Sequence, residues 1–434
     1  MNRTFIIRAF SLYAPLVFAL ILWNLRKLSR SEATGALLAT AWNLPALLAV
    51  NLIAMHFSWW NFSVKDGMLF GLPVDLWIGW AAFWGTAAAL LFRNAPLWIV
   101  IPALGIADLV LMPICAPVVT LGKNWLIGEC LALSTCMVPG LLLARWTRDS
   151  RNVKGRALLQ AACFSGLLLF SIVIVASFSG ELHRFTHMSR ISLHLLAISF
   201  FIAALPGLSA VQEFAIVGQG TPLPFDPPQQ LVRSGIYRYL ANPMQASTAL
   251  LLIVMAVAAR SVWVGLACLV SVAYSAGLAT WDEENDLRQR YGQSFLEYRA
   301  QVRNWLPRWR PAASQPARIY LAENCFKCSQ MAAFLKSLKP VGLEIVAAED
   351  HPRRNLQRMT YESQAVEDDG LAALARALEH VNFGWALLGM ALRLPGVSAL
   401  LQAILDVSGG EPMPVTRRSC EVSVPTGQKK TVAP

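Results

Sequence analysis

The stretch Gln229-Gln230-Leu231-Val232-Arg233-Ser234-Gly235-Ile236-Tyr237-Arg238-Tyr239-Leu240-Ala241-Asn242-Pro243-Met244-Gln245 opens onto two apolar runs, at roughly 244–259 and 261–280. These end at Asp282-Glu283-Glu284-Asn285-Asp286-Leu287. Only Arg260 separates the runs, so they read as a helical hairpin too short to span a bilayer fully. A hairpin brings its far end back to the face it left, which returns Glu283 and Glu284 to the opening loop. Gly235 permits a turn before Tyr237, and Pro243 can start a helix where a missing N–H costs nothing. The free N–H groups at that start suit an anion, such as the carboxylate of an amino-acid-like ligand. A carboxylate at the far end can bind an ammonium or ribose hydroxyls, and a tyrosine can pack beside a sulfonium. The same residues read equally as loop punctuation, with the acidic pair as a solvated cap.

Working outward, the 434-residue chain is 56% hydrophobic and only 15% charged, with a mean hydropathy of +0.47. Soluble domains carry about 25% charged residues. Further apolar runs lie at roughly 8–25, 34–58, 69–92, 96–121, 125–145, 156–178 and 191–217. These features exclude a mainly soluble enzyme, a disordered chain and a fibrous one. With the hairpin they predict a polytopic α-helical membrane protein of about nine membrane helices.

Lys and Arg exceed Asp and Glu by 11, an excess that reads as cytoplasmic loops rather than a nucleic-acid surface. Arg26, Lys27 and Arg30 follow the first helix, and Arg145, Arg148, Arg151, Lys154 and Arg156 lie between the fifth and sixth. Placing both loops in the cytoplasm puts the N-terminus outside and the C-terminal part inside. Arg3 and Arg8 on the outer side run against the rule.

Beyond Trp281 the chain becomes polar. Residues 311–316 read as a linker, 317–408 as a small cytoplasmic α/β domain, and 409–434 as a disordered tail. Arg318–Ala322 and Leu343–Ala348 are strand candidates around an amphipathic helix at Ser329–Lys339. The apolar stretch Phe383–Leu405 is interrupted by Arg393 and Pro395 and is expected to form core or interfacial helices, not another span. Residues 1–190 form an N-terminal membrane domain whose role the sequence does not give, and 191–310 a second membrane domain.

The ordered set Leu231-Val232, Gly235-Ile236-Tyr237, Asn242-Pro243, a hairpin, Glu283-Glu284, Leu287, Tyr291-Gly292, Tyr298 and Pro307 resembles the isoprenylcysteine carboxyl methyltransferase and phospholipid methyltransferase superfamily. Its members are integral membrane enzymes that use S-adenosylmethionine. The resemblance covers residues 218–310. It implies that Gln229, Gln230, Leu231, Val232, Tyr237, Asn242, Pro243, Met244, Gln245 and Glu283 line the cofactor site. Glu284, Arg238 and Arg288 are the acceptor-side candidates, though all three also read as interfacial or capping charges. Asn242 stands where the family usually has His, a substitution common in bacterial members that points to a bacterial inner membrane. Gln245 replaces a Tyr and Ser247 a Gly. The arginine that contacts the substrate carboxylate falls on Ala279. The resemblance therefore implies methyl transfer to a lipophilic acceptor other than an isoprenylcysteine carboxylate held in the usual way.

Cys325-Phe326-Lys327-Cys328 follows a strand candidate and opens a helix. Helix-start N–H groups stabilise a thiolate, which makes Cys325 the nucleophile and Cys328 the resolver of a redox pair. A zinc half-site completed by His351 and His380 is the competing reading, but their separations fit no standard pattern, and no metal is expected. The remaining cysteines are scattered, Cys420 in the tail among them. Together with Arg358-Met359-Thr360-Tyr361-Glu362-Ser363, Gly370-Leu371-Ala372-Ala373-Leu374, Trp385 and Arg393-Leu394-Pro395-Gly396-Val397, the pair resembles the DCC family of thioredoxin-like thiol–disulfide oxidoreductases. That resemblance implies a thioredoxin-type redox partner. The family's Asp-Gly ahead of the cysteines is Ala322-Glu323 here.

Asn43, Asn51, Asp75, Asp108 and Glu129 lie within the first apolar runs, where carboxylates are costly and point to a lined cavity or pathway. Two other readings stay open. One is a membrane-anchored dithiol oxidoreductase on an inactive methyltransferase-like scaffold. The other is a transporter or lipid-binding protein built on the first six helices.

Overall fold

A computed structural model describes residues 3–223, 226–312 and 316–416. The chain divides into two compact units, Met1–Val232 with Met244–Tyr291, and Arg233–Pro243 with Gly292–Pro434.

Among the described residues, the first unit holds seven helices long and apolar enough to cross a membrane. They are α1 (Arg3–Leu25), α2 (Arg30–His56), α3 (Val74–Leu91), α4 (Leu97–Ile114), α5 (Trp125–Arg148), α6 (Val153–Phe178) and α7 (Arg190–Ile216). They make the chain an integral membrane protein. Of the nine membrane helices expected, the other two are the hairpin helices, α8 (Pro243–Ala259) and α9 (Val262–Gly277), which are shorter. At 1.5 Å per residue, the 17 residues of α8 reach about 26 Å, just below the 18 residues and about 27 Å of α4, one of the shortest helices long enough to span. The polar helix α10 (Thr280–Tyr291) ends the unit.

Local chemistry sets the helix ends. Ser29 caps α2, its hydroxyl accepting from the Glu32 N–H at 3.2 Å while its own N–H donates to Glu32 at 3.1 Å. Close approach then holds the bundle together, as expected where lipid removes the hydrophobic drive between helices. A Cβ on Gly79 would lie 1.9 Å from the Ser11 carbonyl oxygen, and one on Gly35 would lie 2.6 Å from that of Ala144. Helix α3 kinks at Gly85 (φ −91°, ψ −109°). Beside the kink, the Thr86 N–H donates to the Thr40 hydroxyl at 2.9 Å, and the Thr86 hydroxyl donates to the Ala36 carbonyl at 3.0 Å.

The runs expected to be helical at 69–92 and 96–121 are trimmed by short strands. β1 (Trp60–Phe62) and β4 (Val119–Leu121) pair antiparallel, with Trp60 opposite Leu121; β2 (Met68–Leu69) pairs with β3 (Leu72–Pro73). At the opposite helix ends, Arg93 pairs with Glu32 at 2.6 Å. The Arg145 guanidinium donates there to the carbonyls of Arg93 and Ala95 at 2.6 and 2.7 Å. Both basic loops used for orientation therefore lie on one face of the bundle.

The second unit begins with α11 (Gln293–Gln301) and then forms a four-stranded sheet in the order β6-β5-β7-β8. β5 (Ala317–Leu321) and β6 (Leu343–Ala347) are parallel, joined through α12 (Phe326–Ser337), while β7 (Thr360–Glu362) and β8 (Glu367–Asp369) are antiparallel additions. Ile319, Leu321, Leu335 and Leu378 form its core. Helices α13 (Leu371–Leu378), α14 (Phe383–Leu392) and α15 (Val397–Leu405) follow. The chain breaks at Arg393–Gly396, and α14 meets the following helical stretch, Val397–Gly410, at 83°. Counted as one broken span, this pair would be an eighth by length and composition. Arg393 turns inward to Glu379 at 2.7 Å. In the stretch expected to be a tail, the Met413 and Val415 N–H groups donate to the carbonyls of Gln357 and Leu356 at 2.9 and 2.8 Å. Cys420 lies outside the described residues.

Replacing Gly79 by Leu is expected to cost several kcal/mol by driving α3 off α1. Replacing Gly265, which has open space around it, by Ala is expected to be neutral. Thermal unfolding of the two detergent-purified variants checks this, and equal midpoints would contradict the packing.

Candidate functional site

In the first unit the chain leaving α7 folds back on the helix end. The Gly218 N–H donates to the Glu213 carbonyl at 3.1 Å, and the Gln229 N–H returns to the Gly218 carbonyl at 2.8 Å. The Gln230 side chain donates to the Val217 carbonyl at 2.7 Å, so its amide caps α7. Polar groups gather near this loop. Arg156, at the start of α6, pairs with Asp226 at 3.0 Å. Gln160, one turn further along α6, is fully buried, and neither of its amide atoms is hydrogen-bonded; the same holds for the hydroxyl of buried Thr221. Glu213 on α7 is also fully buried.

The sequence reading used Arg156 only as an orientation marker and passed over Gln160, Glu213 and Asp226. The available signal was a set of polar residues in the end turns of two otherwise apolar spans, the second of which leads into a Pro-rich connector at Thr221–Pro228.

Gln229 and Gln230 are exposed, Leu231 is half-buried and Val232 is buried. Met244 and Gln245 are half-buried in the first turn of α8. Ser247, where the family has Gly, has a structural use. Its hydroxyl donates to the Ala203 carbonyl and accepts from the Gly207 N–H at 3.1 Å, fastening α8 to α7. The Glu283 side chain lies outside the described residues. Glu284 is half-buried and sits 4.0 Å from the more exposed Arg288, one turn along α10. Tyr291 donates its hydroxyl to the Pro228 carbonyl at 2.6 Å, tying the far flank of the hairpin to the near one.

In the second unit the same convergence recurs. Tyr298 donates to the Tyr237 carbonyl at 3.0 Å, and Arg233 to the Ser294 carbonyl at 2.8 Å. The N–H groups of Ala241 and Asn242 reach the carbonyls of Arg303 and Asn304 at 2.9 and 3.3 Å. Tyr237 is buried, while Asn242 is half-buried next to buried Pro243. Arg238 is buried too, and its guanidinium donates to the carbonyls of Val341 at 3.1 Å and Ala312 at 3.4 Å. The Tyr239 hydroxyl donates to the Glu379 carbonyl at 3.0 Å, which builds the motif into the core of this unit.

Cys325 caps α12, its sulfur accepting from the Cys328 N–H at 3.4 Å. The hydrogen bonds from Cys328 and the Lys327 N–H and charge hold the Cys325 thiol below the usual range. Burial and the neighbouring Cys325 push Cys328 up to about 11. Glu349, which the sequence reading missed, is buried nearby and accepts from the Glu323 N–H at 3.1 and 3.2 Å. Its charge adds to the rise at Cys328. The imidazoles of the zinc reading are engaged elsewhere. His380 bonds Tyr361 and the Val341 carbonyl, both at 2.9 Å, and burial lowers its pKa to about 3. His351 bonds Glu362 at 2.9 Å. Among the described residues, no group of three or more His, Cys, Asp and Glu is placed to hold a metal ion.

Mass-spectrometric peptide mapping after brief iodoacetamide treatment at pH 7 is expected to find Cys325 labelled well ahead of Cys328. As pH rises, the Cys325 rate should reach its plateau first, because its thiolate forms at the lower pH. Equal labelling, or the reverse order, would contradict the asymmetry.

No curated protein matches the chain, and no solved structure does. Residues 193–294, roughly a quarter of the chain, match the phospholipid methyltransferase family.

Proposed function

We propose that residues 191–310 act as an S-adenosylmethionine-dependent methyltransferase on a lipophilic acceptor that enters from the bilayer. The carrying observation is that the family match at 193–294 spans the hairpin and the tyrosine that ties its flanks, Tyr291 to Pro228. The chemistry of the groups present fits the cofactor. Helix α8 starts with Pro243, and the N–H groups of such a helix start suit a carboxylate. Buried Gln160 on α6 and Thr221 on the loop after α7 add polar side chains without partners.

On this reading Gln229, Gln230, Leu231, Val232, Asn242, Met244 and Gln245 line the cofactor site, with Pro243 at the helix start. Glu283 takes the ammonium or the ribose hydroxyls, and the Tyr237 ring packs beside the cation. When bound, S-adenosylmethionine supplies an electrophilic methyl on its sulfonium. The chain's own task is alignment and exclusion of water, since displacement at methyl needs little acid–base help. Glu284 and Arg288 are the acceptor-side side chains. Arg238 serves that side by holding its loop, its guanidinium being committed to carbonyls. Ala279 supplies no guanidinium for an isoprenylcysteine carboxylate, which favours a thiol, amine, hydroxyl or differently held carboxylate. Seven crossings from an outer N-terminus put the loop after α7 in the cytoplasm, where S-adenosylmethionine is made, and the positive-inside rule agrees.

A second reading concerns residues 317–408, proposed as a thioredoxin-like dithiol module of the DCC type. Its support is the βαβ unit with two antiparallel additions and a cysteine pair at the start of α12. Cys325 would attack a partner's disulfide and Cys328 resolve the mixed disulfide, with a thioredoxin-type protein as partner. This module can stand alone if the membrane part is only a scaffold.

Membranes containing the wild-type chain are expected to transfer radiolabelled methyl from S-adenosylmethionine into a lipid-extractable product, and Glu283→Gln to lose tenfold or more. That is the scale expected for removing a charged hydrogen bond of about 1.5–3 kcal/mol. Labelling undiminished in Glu283→Gln at equal expression would overturn the site assignment.

A further inference from the structure

Helices α2 to α5 enclose a cavity of about 50 Å³ under the β1–β4 pair, in the part of the chain that precedes the family match. Four indoles line it, those of Trp60, Trp77, Trp80 and Trp84, together with the carboxyls of Asp108 and Glu129. Three of the rings are fixed by their N–H groups. Trp60 donates to Asn51 at 2.9 Å, Trp77 to the Leu44 carbonyl at 2.8 Å, and Trp80 to Asp108 at 2.6 Å. The fourth, Trp84, is buried to 1% exposure, and its indole N–H has no partner. Asp108 and Glu129 are 1% and 2% exposed, and each keeps one oxygen that accepts from no donor group.

The lining sets the sign of the charge the cavity can hold: Asp108 and Glu129 are its acidic side chains, and any charge they carry is negative. Among the described lining residues there is no Lys, Arg or His to balance it, and Arg8 at the same end of the bundle is paired with Asp75 at 2.6 Å. An inorganic cation would want a shell of six or more oxygens, whereas most of this wall is indole and aliphatic. Indole faces attract an organic cation, most strongly where water is excluded.

We propose that this cavity binds an organic ammonium group, carried either by a free amine or by the headgroup of an aminolipid. The carboxyl pair supplies the counter-charge and the fixed indoles supply the walls. The inference is independent of the methyl-transfer reading, since none of its residues belongs to that site.

The test uses the full chain in maltoside micelles and follows its thermal unfolding midpoint. Methylammonium and ethanolamine chlorides are titrated against sodium chloride at equal ionic strength. The chain is also placed in nanodiscs of phosphatidylglycerol with and without phosphatidylethanolamine. A saturable rise with either free amine assigns the site to small amines. A rise confined to phosphatidylethanolamine discs assigns it to the lipid headgroup. Either rise is expected to fall at least fivefold in Asp108→Asn and in Glu129→Gln. Trp80→Leu serves as the independent variant should a carboxyl variant fail to fold. No rise in the folded wild-type chain, a rise matched by sodium chloride, or one unchanged in every folded variant would overturn the proposal.

Discussion

A helical hairpin must return to the face it left, and that constraint organises the informative half of this chain. Its near flank carries Pro228, Arg233, Tyr237, Ala241 and Asn242, and its far flank carries Tyr291, Ser294, Tyr298, Arg303 and Asn304. Hydrogen bonds join these residues pairwise, Tyr291 to Pro228 within the first unit and the others within the second. All five bonds use a backbone carbonyl as acceptor and a tyrosine, an arginine or a backbone N–H as donor. Convergence of the flanks therefore depends on a few long donor side chains at set spacings. Those spacings, Tyr291 and Tyr298 after the acidic pair, are part of the resemblance read in the sequence.

Much of the architecture was legible because lipid leaves a strong imprint. Seven runs of apolar residues became seven helices, and the Arg393–Pro395 interruption became the 83° break between helical stretches. The sequence reading counted the two hairpin helices among nine while reading them as too short to span fully, and both are shorter than the seven. It also extended α4 into residues that pair as a strand with 60–62, because three-residue strands leave no periodicity to read. The sheet of the second unit was half visible. β5, α12 and β6 have clear patterns, whereas β7 and β8 are three residues each and one of them is acidic throughout.

The candidate site was legible where a linear motif carries it and opaque where tertiary contact does. Pro243 at a helix start and Cys325 at the cap of α12 follow from order along the chain. Arg156, Gln160, Glu213 and Asp226 do not, because each alone reads as a helix-end charge or amide. Only the pairing of Arg156 with Asp226 across some 70 residues shows that α6 belongs with the connector. The buried Glu349 beside Cys328 is hidden in the same way, since a Glu after a strand is ordinarily a solvated turn residue. In both places burial and electrostatics, rather than propensity, decide what the side chain does.

The most direct measurement concerns the flanks themselves. Cysteines placed at 233 and 294 in a chain whose other cysteines are replaced by serine or alanine should be joined by a short bismaleimide in native membranes. One intramolecular adduct in high yield is predicted, because Arg233 reaches the Ser294 carbonyl at 2.8 Å. Failure to link, or labelling of the two positions from opposite sides of sealed vesicles, would contradict a hairpin that closes on one face.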